Sequence, residues 1–118
     1  MKVLIIDDSP TESHVAKGFL TRNGFDVILA DNAEQGLKLA EHESPDAILM
    51  DIVMPGMNGF QATRHLTKNE QTANIPVIIL SSKNASTDKM WGMRQGAIDY
   101  LTKPVNEKEL VNRLRNLV

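Results

Sequence analysis

Apolar residues follow two rhythms along this chain. Short unbroken runs stand at Val3-Leu4-Ile5-Ile6, Ala47-Ile48-Leu49-Met50 and Val77-Ile78-Ile79-Leu80, with a weaker one at Val27–Ala30. Runs that lack polar alternation are how strands covered on both faces read. Ile98-Asp99-Tyr100-Leu101 is a fifth strand candidate. Between these runs, apolar positions recur every three or four residues, the spacing of a helix with one buried face.

Start and stop signals frame the helices. Ser9 with Glu12 reads as a capping box, and Pro10 suits the first helical position, where a missing N–H costs nothing. Val15, Phe19 and Leu20 are the expected inward stripe, and Asn23-Gly24 the left-handed stop. Asn32 caps a second helix with Leu37 and Ala40 inward, ending near Ser44-Pro45. Asn58 or Gly59 opens a third, with Phe60, Thr63 and Leu66 at helical spacing. The fourth runs from about Ser86 to Gln95 and stops at Gly96; Asn106 caps the last, with Leu110, Leu114 and Leu117 inward.

Strand and helix thus alternate five times. That order implies an α/β fold with a parallel sheet covered on both faces, and right-handed crossovers make it doubly wound. In such a sheet ligands bind beyond the carboxyl ends of the strands, where strand order reverses.

Composition narrows the chemistry. At 118 residues, with 42% hydrophobic and 24% charged, one globular core is expected. A net charge of -2 gives no general attraction to nucleic acid or anionic membrane. The absence of cysteine excludes disulfides, zinc-thiolate sites and thiol nucleophiles. No stretch is long enough for a signal-peptide core or membrane span, so a soluble, cytoplasmic protein is expected.

Four separate pieces of sequence meet on the carboxyl rim: Asp7 and Asp8 after strand one, Asp51 after strand three, Ser81 and Ser82 after strand four, and Lys103-Pro104 after strand five. Three crowded acids repel one another, and a hard cation such as Mg2+, which takes one or two carboxylates and keeps waters, relieves them. Helix capping would account for one of Asp7 and Asp8 but leaves Asp51 unexplained. Lys103, held extended before proline, projects from a fixed place, and a cis bond would aim it inward. Its ammonium could pair with Asp51 at rest, then with a phosphoryl oxygen, to which the Ser81 hydroxyl could also donate. Met54-Pro55-Gly56-Met57-Asn58-Gly59 fits a tight turn, and Val53 could offer its carbonyl to the metal while its side chain points outward.

The segments IIDDSP, LMDIVMPGMNGF, VIILSS and YLTKP, in this order over nearly the whole chain, resemble the CheY-like receiver domains of bacterial response regulators. The resemblance implies a (βα)5 flavodoxin-like three-layer sandwich with sheet order 2-1-3-4-5. It makes Asp51 the phosphoacceptor, with Asp8, Asp51 and the Val53 carbonyl as metal ligands and Asp7 acting through metal-bound water. Ser81 and Lys103 would bind phosphoryl oxygens, and Tyr100 would be the aromatic that changes rotamer. DDSPTE, MDIVMPGMNGFQATR and WGMRQGAIDYLTKPV resemble, more narrowly, the PilH-type regulators of the chemosensory system for type IV pili and twitching motility. Ser81 replaces the commoner threonine, and Ser82 stands where a small apolar residue is frequent.

The implied partners are a chemosensory histidine kinase and a downstream protein that binds the face made by the fourth helix, fifth strand and fifth helix. One receiver domain over residues 1–118 without an effector domain, monomeric and without nucleic-acid or membrane contacts, is expected. Met90, Trp91 and Met93 span too wide an arc for one buried stripe, so at least one is expected on the surface. His14, His42 and His65 show no metal-ligand spacing and are read as solvated. The rival readings are an Mg2+-dependent aspartyl-phosphate hydrolase, which would need an acid where Val53 stands, a DNA-binding regulator, an inert scaffold with a decayed site, and a phosphate sink for another regulator. A switch with slow self-dephosphorylation, not an enzyme, is the expected class.

Overall fold

The computed structural model describes residues 1–117. Elements alternate along the chain as β1 (Lys2–Ile6), α1 (Pro10–Thr21), β2 (Asp26–Ala30), α2 (Ala33–Glu43), β3 (Ala47–Met50), α3 (Gly59–Lys68), β4 (Val77–Ser81), α4 (Ser86–Arg94), β5 (Asp99–Thr102) and α5 (Glu107–Arg115). All strands are parallel, in the order β2-β1-β3-β4-β5. Registers such as Ile6 with Ala30, Ile6 with Met50 and Ser81 with Thr102 align the carboxyl ends on one rim. Strand order reverses between β1 and β3, the place where such sheets bind ligands.

Because successive strand residues face opposite ways, the unbroken runs feed two cores. Leu4, Ile6, Ile48, Met50, Val77 and Ile79 lie with Ala33, Ala40, Ala62 and Leu66 under α2, α3 and α4. Val3, Ile5, Leu49, Ile78, Leu80 and Leu101 lie with Ala16, Leu20, Leu110 and Leu114 under α1 and α5. This is the doubly wound three-layer sandwich expected from sequence. Among the described residues, no helix is long and apolar enough to cross a membrane.

Asn32, Asn58 and Asn106 cap α2, α3 and α5 with side-chain oxygens that accept from Gln35, Gln61 and Glu109 N–H. At α3 the box is reciprocal, since Gln61 accepts from the Asn58 N–H. At α1 only half of the expected box forms. Ser9 Oγ accepts from the Glu12 N–H at 3.3 Å, but the Ser9 N–H donates to Asp7 Oδ1 at 2.9 Å and Glu12 turns elsewhere. The inward face of α1 also differs from expectation: Ser13, Ala16 and Leu20 are buried, whereas Val15 is exposed. Helix α1 approaches the sheet on its small residues, which leaves Val15 and Phe19 along a cleft facing Leu80 and Val105. On α4, Met90, Trp91 and Met93 are 55%, 50% and 46% exposed, and only Gly92 is buried. A Cβ at Gly92 would lie 2.6 Å from Ile79 Cδ1, so this glycine is the point where α4 reaches the sheet.

Candidate functional site

Backbone bonds of the sheet continue just past the strands and fix the rim acids. The Asp7 N–H donates to the Ala30 carbonyl and the Asp51 N–H to the Ile6 carbonyl, each at 3.0 Å. Asp7 and Asp51 are buried and Asp8 is exposed. One carboxylate oxygen from each of Asp7, Asp8 and Asp51 lies within 4.8 Å of the others. The donor set is all oxygen and carries far more negative than positive charge, which suits a hard divalent cation better than a soft or nitrogen-seeking one. Val53 is apolar and 58% exposed, which leaves its backbone as the part that this position could offer.

Lys103 reaches the acids from β5. Its N–H donates to the Ser81 carbonyl at 2.8 Å, and its bond to Pro104 is cis. The ammonium donates to Asp7 Oδ2 at 2.8 Å, Glu12 Oε2 at 3.0 Å and Asp51 Oδ2 at 3.4 Å. The resting pair expected from sequence was Lys103 with Asp51, and that contact is the longest of the three. Asp7 is the principal partner. Glu12, read from sequence as a capping residue, is a site residue that sequence reasoning missed. The usable signal was that an acid three residues after Ser9 also faces the rim from the first turn of α1.

Burial pushes the Asp51 carboxyl up to about 6; the Lys103 ammonium pulls against that, and the Asp7 charge adds to it. The Ile52 N–H, donating to Asp51 Oδ1 at 2.8 Å, favours the ionised form. Burial works to lower Lys103, but its bonds to Asp7 and Glu12 and the charge of Asp51 prevail and leave it raised. The ammonium therefore stays charged, and Asp51 is a carboxylate whose ionisation depends on compensating charge.

Ser81 is wholly buried and its hydroxyl accepts from the Lys83 N–H at 3.2 Å, while Ser82 is exposed. Tyr100 is half-buried, with its ring beside Gly92. Its phenol donates to the Lys83 carbonyl at 2.5 Å, tying β5 to the β4–α4 loop. This bond is the starting arrangement of the tyrosine that the family resemblance makes the residue that changes rotamer. Burial, with the Asp88 charge, raises the phenol pKa, so it remains a donor. His14, His42 and His65 are exposed; His14 lines the recess beside Asp7 and Asp8, and none of the three is a member of the acidic cluster.

Comparison with known proteins places this geometry. Residues 3–115 match the response regulator receiver domain family. Protein PilH of Pseudomonas aeruginosa is 55% identical over 113 residues, which are 96% of this chain and 93% of that protein. The transcriptional regulatory protein CpxR of Escherichia coli is 38% identical over 117 residues, 99% of this chain but 49% of CpxR. The structure of chemotaxis protein CheY4 of Vibrio cholerae superposes with a TM-score of 0.92 at 28% identity, covering 99% of this chain and 98% of that one.

Proposed function

Since the chain belongs to the response regulator receiver domain family, with CheY-like neighbours and PilH among its relatives, we propose that it is a phosphorylation switch whose acceptor is Asp51. One observation carries the proposal: a buried carboxylate at the end of β3 lies between two further acids and an ammonium 3.4 Å away. Such a group can receive a phosphoryl group, and the charge it gains has a partner ready.

In the transfer, a carboxylate oxygen of Asp51 forms a bond to the phosphorus of a phosphohistidine on a chemosensory-type histidine kinase. The P–N bond breaks, and its electron pair returns to the imidazole. The product is an acyl phosphate. Asp8, Asp51 and the Val53 carbonyl would hold Mg2+, with Asp7 acting through water, and the ion would supply neutralisation of negative charge at the site. Lys103, already charged and held at the mouth of the site, moves from its shorter contacts toward the new anion. Ser81 gives up the Lys83 N–H and donates its hydroxyl to a phosphoryl oxygen. Because Tyr100 is bonded to the carbonyl of that same Lys83, the β4–α4 loop passes the change to the face made by α4, β5 and α5.

The exposed Met90, Trp91 and Met93 on α4 support this face as the output surface, with a downstream protein as its partner. The likeness to PilH supports a receiver acting by protein contact in the cytoplasm, in control of type IV pili and twitching motility. The test is phosphoryl incorporation from acetyl phosphate with Mg2+. Wild type should be labelled and Asp51→Asn should not, and equal labelling of the two would overturn the assignment.

A further inference from the structure

Glu12 has a task that capping does not describe. The ammonium of Lys103 has three protons, and its three acceptors are Asp7, Glu12 and Asp51 at 2.8, 3.0 and 3.4 Å. The two shorter contacts draw it toward β1 and α1, and the longest is the one to the acceptor carboxylate. The two short partners differ in mobility. The Asp7 side chain is 5% exposed, whereas that of Glu12 is 49% exposed, so Glu12 can swing into water at little desolvation cost. It is also released from other duty, because the Ser9 N–H that a capping-box glutamate would accept is bound by Asp7 Oδ1. Helix α1 thus places a carboxylate free of capping duty within reach of the site, where it meets the ammonium that arrives from the end of β5.

We propose that Glu12 is a positioning residue, which holds the Lys103 ammonium on the α1 side of the site and lets it go when an anion arrives at Asp51. The proposal rests on the reading of Asp51 as the phosphoryl acceptor and adds a regulator of the same site. Glu12 competes with the phosphoryl group for one lysine. It therefore raises the threshold at which Lys103 engages that group, and a charge change at position 12 tunes the switch without touching Asp51, Asp8 or Ser81.

The test titrates beryllofluoride in Mg2+ onto the full chain and follows the backbone amide shifts of Ser81 and Lys103. Glu12→Gln keeps the size and the hydrogen-bonding reach but loses the charge. It should lower the half-saturating concentration about three- to five-fold, the ratio expected for losing a well-formed, partly exposed ion pair. Asp31→Asn is the charge control: this exposed acid lines the same acidic recess as Asp7 and Asp8 but makes no bond to Lys103. It should shift the half-saturation much less. In Mg2+-free protein, Glu12→Gln should also move the side-chain Cε resonance of Lys103, which Asp31→Asn leaves in place. Equal tightening by the two variants would reduce the effect to general charge and overturn the proposal. So would a Lys103 resonance that ignores Glu12→Gln. A wild-type chain that takes up no beryllofluoride would instead overturn the acceptor reading, while the metal-free resonance would still report whether Glu12 holds the lysine.

Discussion

Gly59 and Asp51 touch through their backbones: a Cβ at position 59 would stand 2.0 Å from the Asp51 carbonyl oxygen. The Gly59 N–H also donates to the Ile52 carbonyl at 2.9 Å, so the first turn of α3 is clamped onto the residues that follow β3. The Asp51 carboxylate is therefore positioned from below by the sheet and from the side by a helix start that only glycine permits.

Replacing Gly59 by Ala should be severe. The obstructing atoms are backbone, which cannot step aside as a side chain can, so a loss of about 3 kcal/mol or more is expected. Gly92→Ala, whose Cβ meets the end of Ile79, should cost only about 1–2 kcal/mol, because a rotamer change can make room. Urea denaturation checks both. A Gly59→Ala variant as stable as wild type would mean that α3 does not clamp the Asp51 segment.

Asp51 also sets a pH dependence of stability in Mg2+-free protein. Its folded-state pKa, about 6, lies above the ordinary 3.8, so the folded form binds this proton more tightly than the unfolded chain. The linked stabilisation is complete below the unfolded value and is lost as pH rises through about 6. Above that, the ionised group burdens the fold. Asp51→Asn should therefore be more stable than wild type at pH 7.5, by roughly 1–3 kcal/mol after discounting for solvent screening, and the gap should close toward pH 4.5. Saturating Mg2+ should shrink it too. Denaturation curves in EDTA at four or five pH values give the answer; a constant difference would show that the burial effect is absent.

Much of this architecture is legible in the sequence because it depends on local periodicity. The apolar runs and the Asn caps at 32, 58 and 106 each act through neighbours in the chain, and each reappears in the structure. The site was legible as a rim, since the ends of parallel strands must lie together. Its wiring was not. Whether Glu12 folds back on Ser9 or crosses to Lys103 depends on a residue 91 positions away. Similarly, Val15 fits a helical stripe, but the distance between α1 and the sheet is set by Ser13 and Ala16, which puts Val15 outside. The bond from Tyr100 to the Lys83 carbonyl joins a strand and a loop that have no sequence pattern in common. Pairings between distant polar groups are thus decided by tertiary geometry, which a one-dimensional pattern does not carry.

Lys103→Ala should separate the chemistry from its consequences. Removing the ammonium leaves Asp7 buried beside Asp51 without its principal counter-charge. Metal-free stability should fall by roughly 1–3 kcal/mol, recovered in part by Mg2+. Labelling by acetyl phosphate should persist, while the amide shifts at Ser81 and Tyr100 that follow activation in wild type should be lost. Full-sized shifts in the labelled variant would remove Lys103 from the signalling path.

The hydrolase alternative predicts sustained turnover. An enzyme of that kind needs an acid two residues beyond its nucleophile, and here that position is the exposed Val53. Release of phosphate from a generic ester such as p-nitrophenyl phosphate should stay near the no-protein rate. Val53→Asp should then raise loss of the aspartyl phosphate if a missing proton carrier is what keeps the switch slow. Multiple turnovers by wild type on such esters would place the protein among the enzymes.

The last prediction follows the path from Asp51 to the surface of α4. Beryllofluoride with Mg2+ should change the surroundings of both Tyr100 and Trp91. Ser81 is buried at the end of β4, the strand beside β3, Lys83 is bonded to both Ser81 and Tyr100, and the Tyr100 ring lies beside Gly92, the residue following Trp91. A Ser81 hydroxyl recruited by the mimic lets go of the Lys83 N–H. The carbonyl on the same residue then moves, taking the phenol with it, and the ring displaces Gly92, the buried residue of α4. Trp91 is the sole tryptophan, and its half-exposed indole makes its emission sensitive to such a movement. Mg2+ alone, and Asp51→Asn with both reagents, serve as controls for ion binding elsewhere. The complete mimic should change the emission and shift the amides of Ser81, Lys83, Trp91 and Tyr100 in wild type only. Tyr100→Phe should keep the Ser81 shift but diminish the response at Trp91, because the phenol is the connecting bond. If Trp91 responds fully in that variant, the signal reaches α4 along the backbone of the β4–α4 loop without the tyrosine.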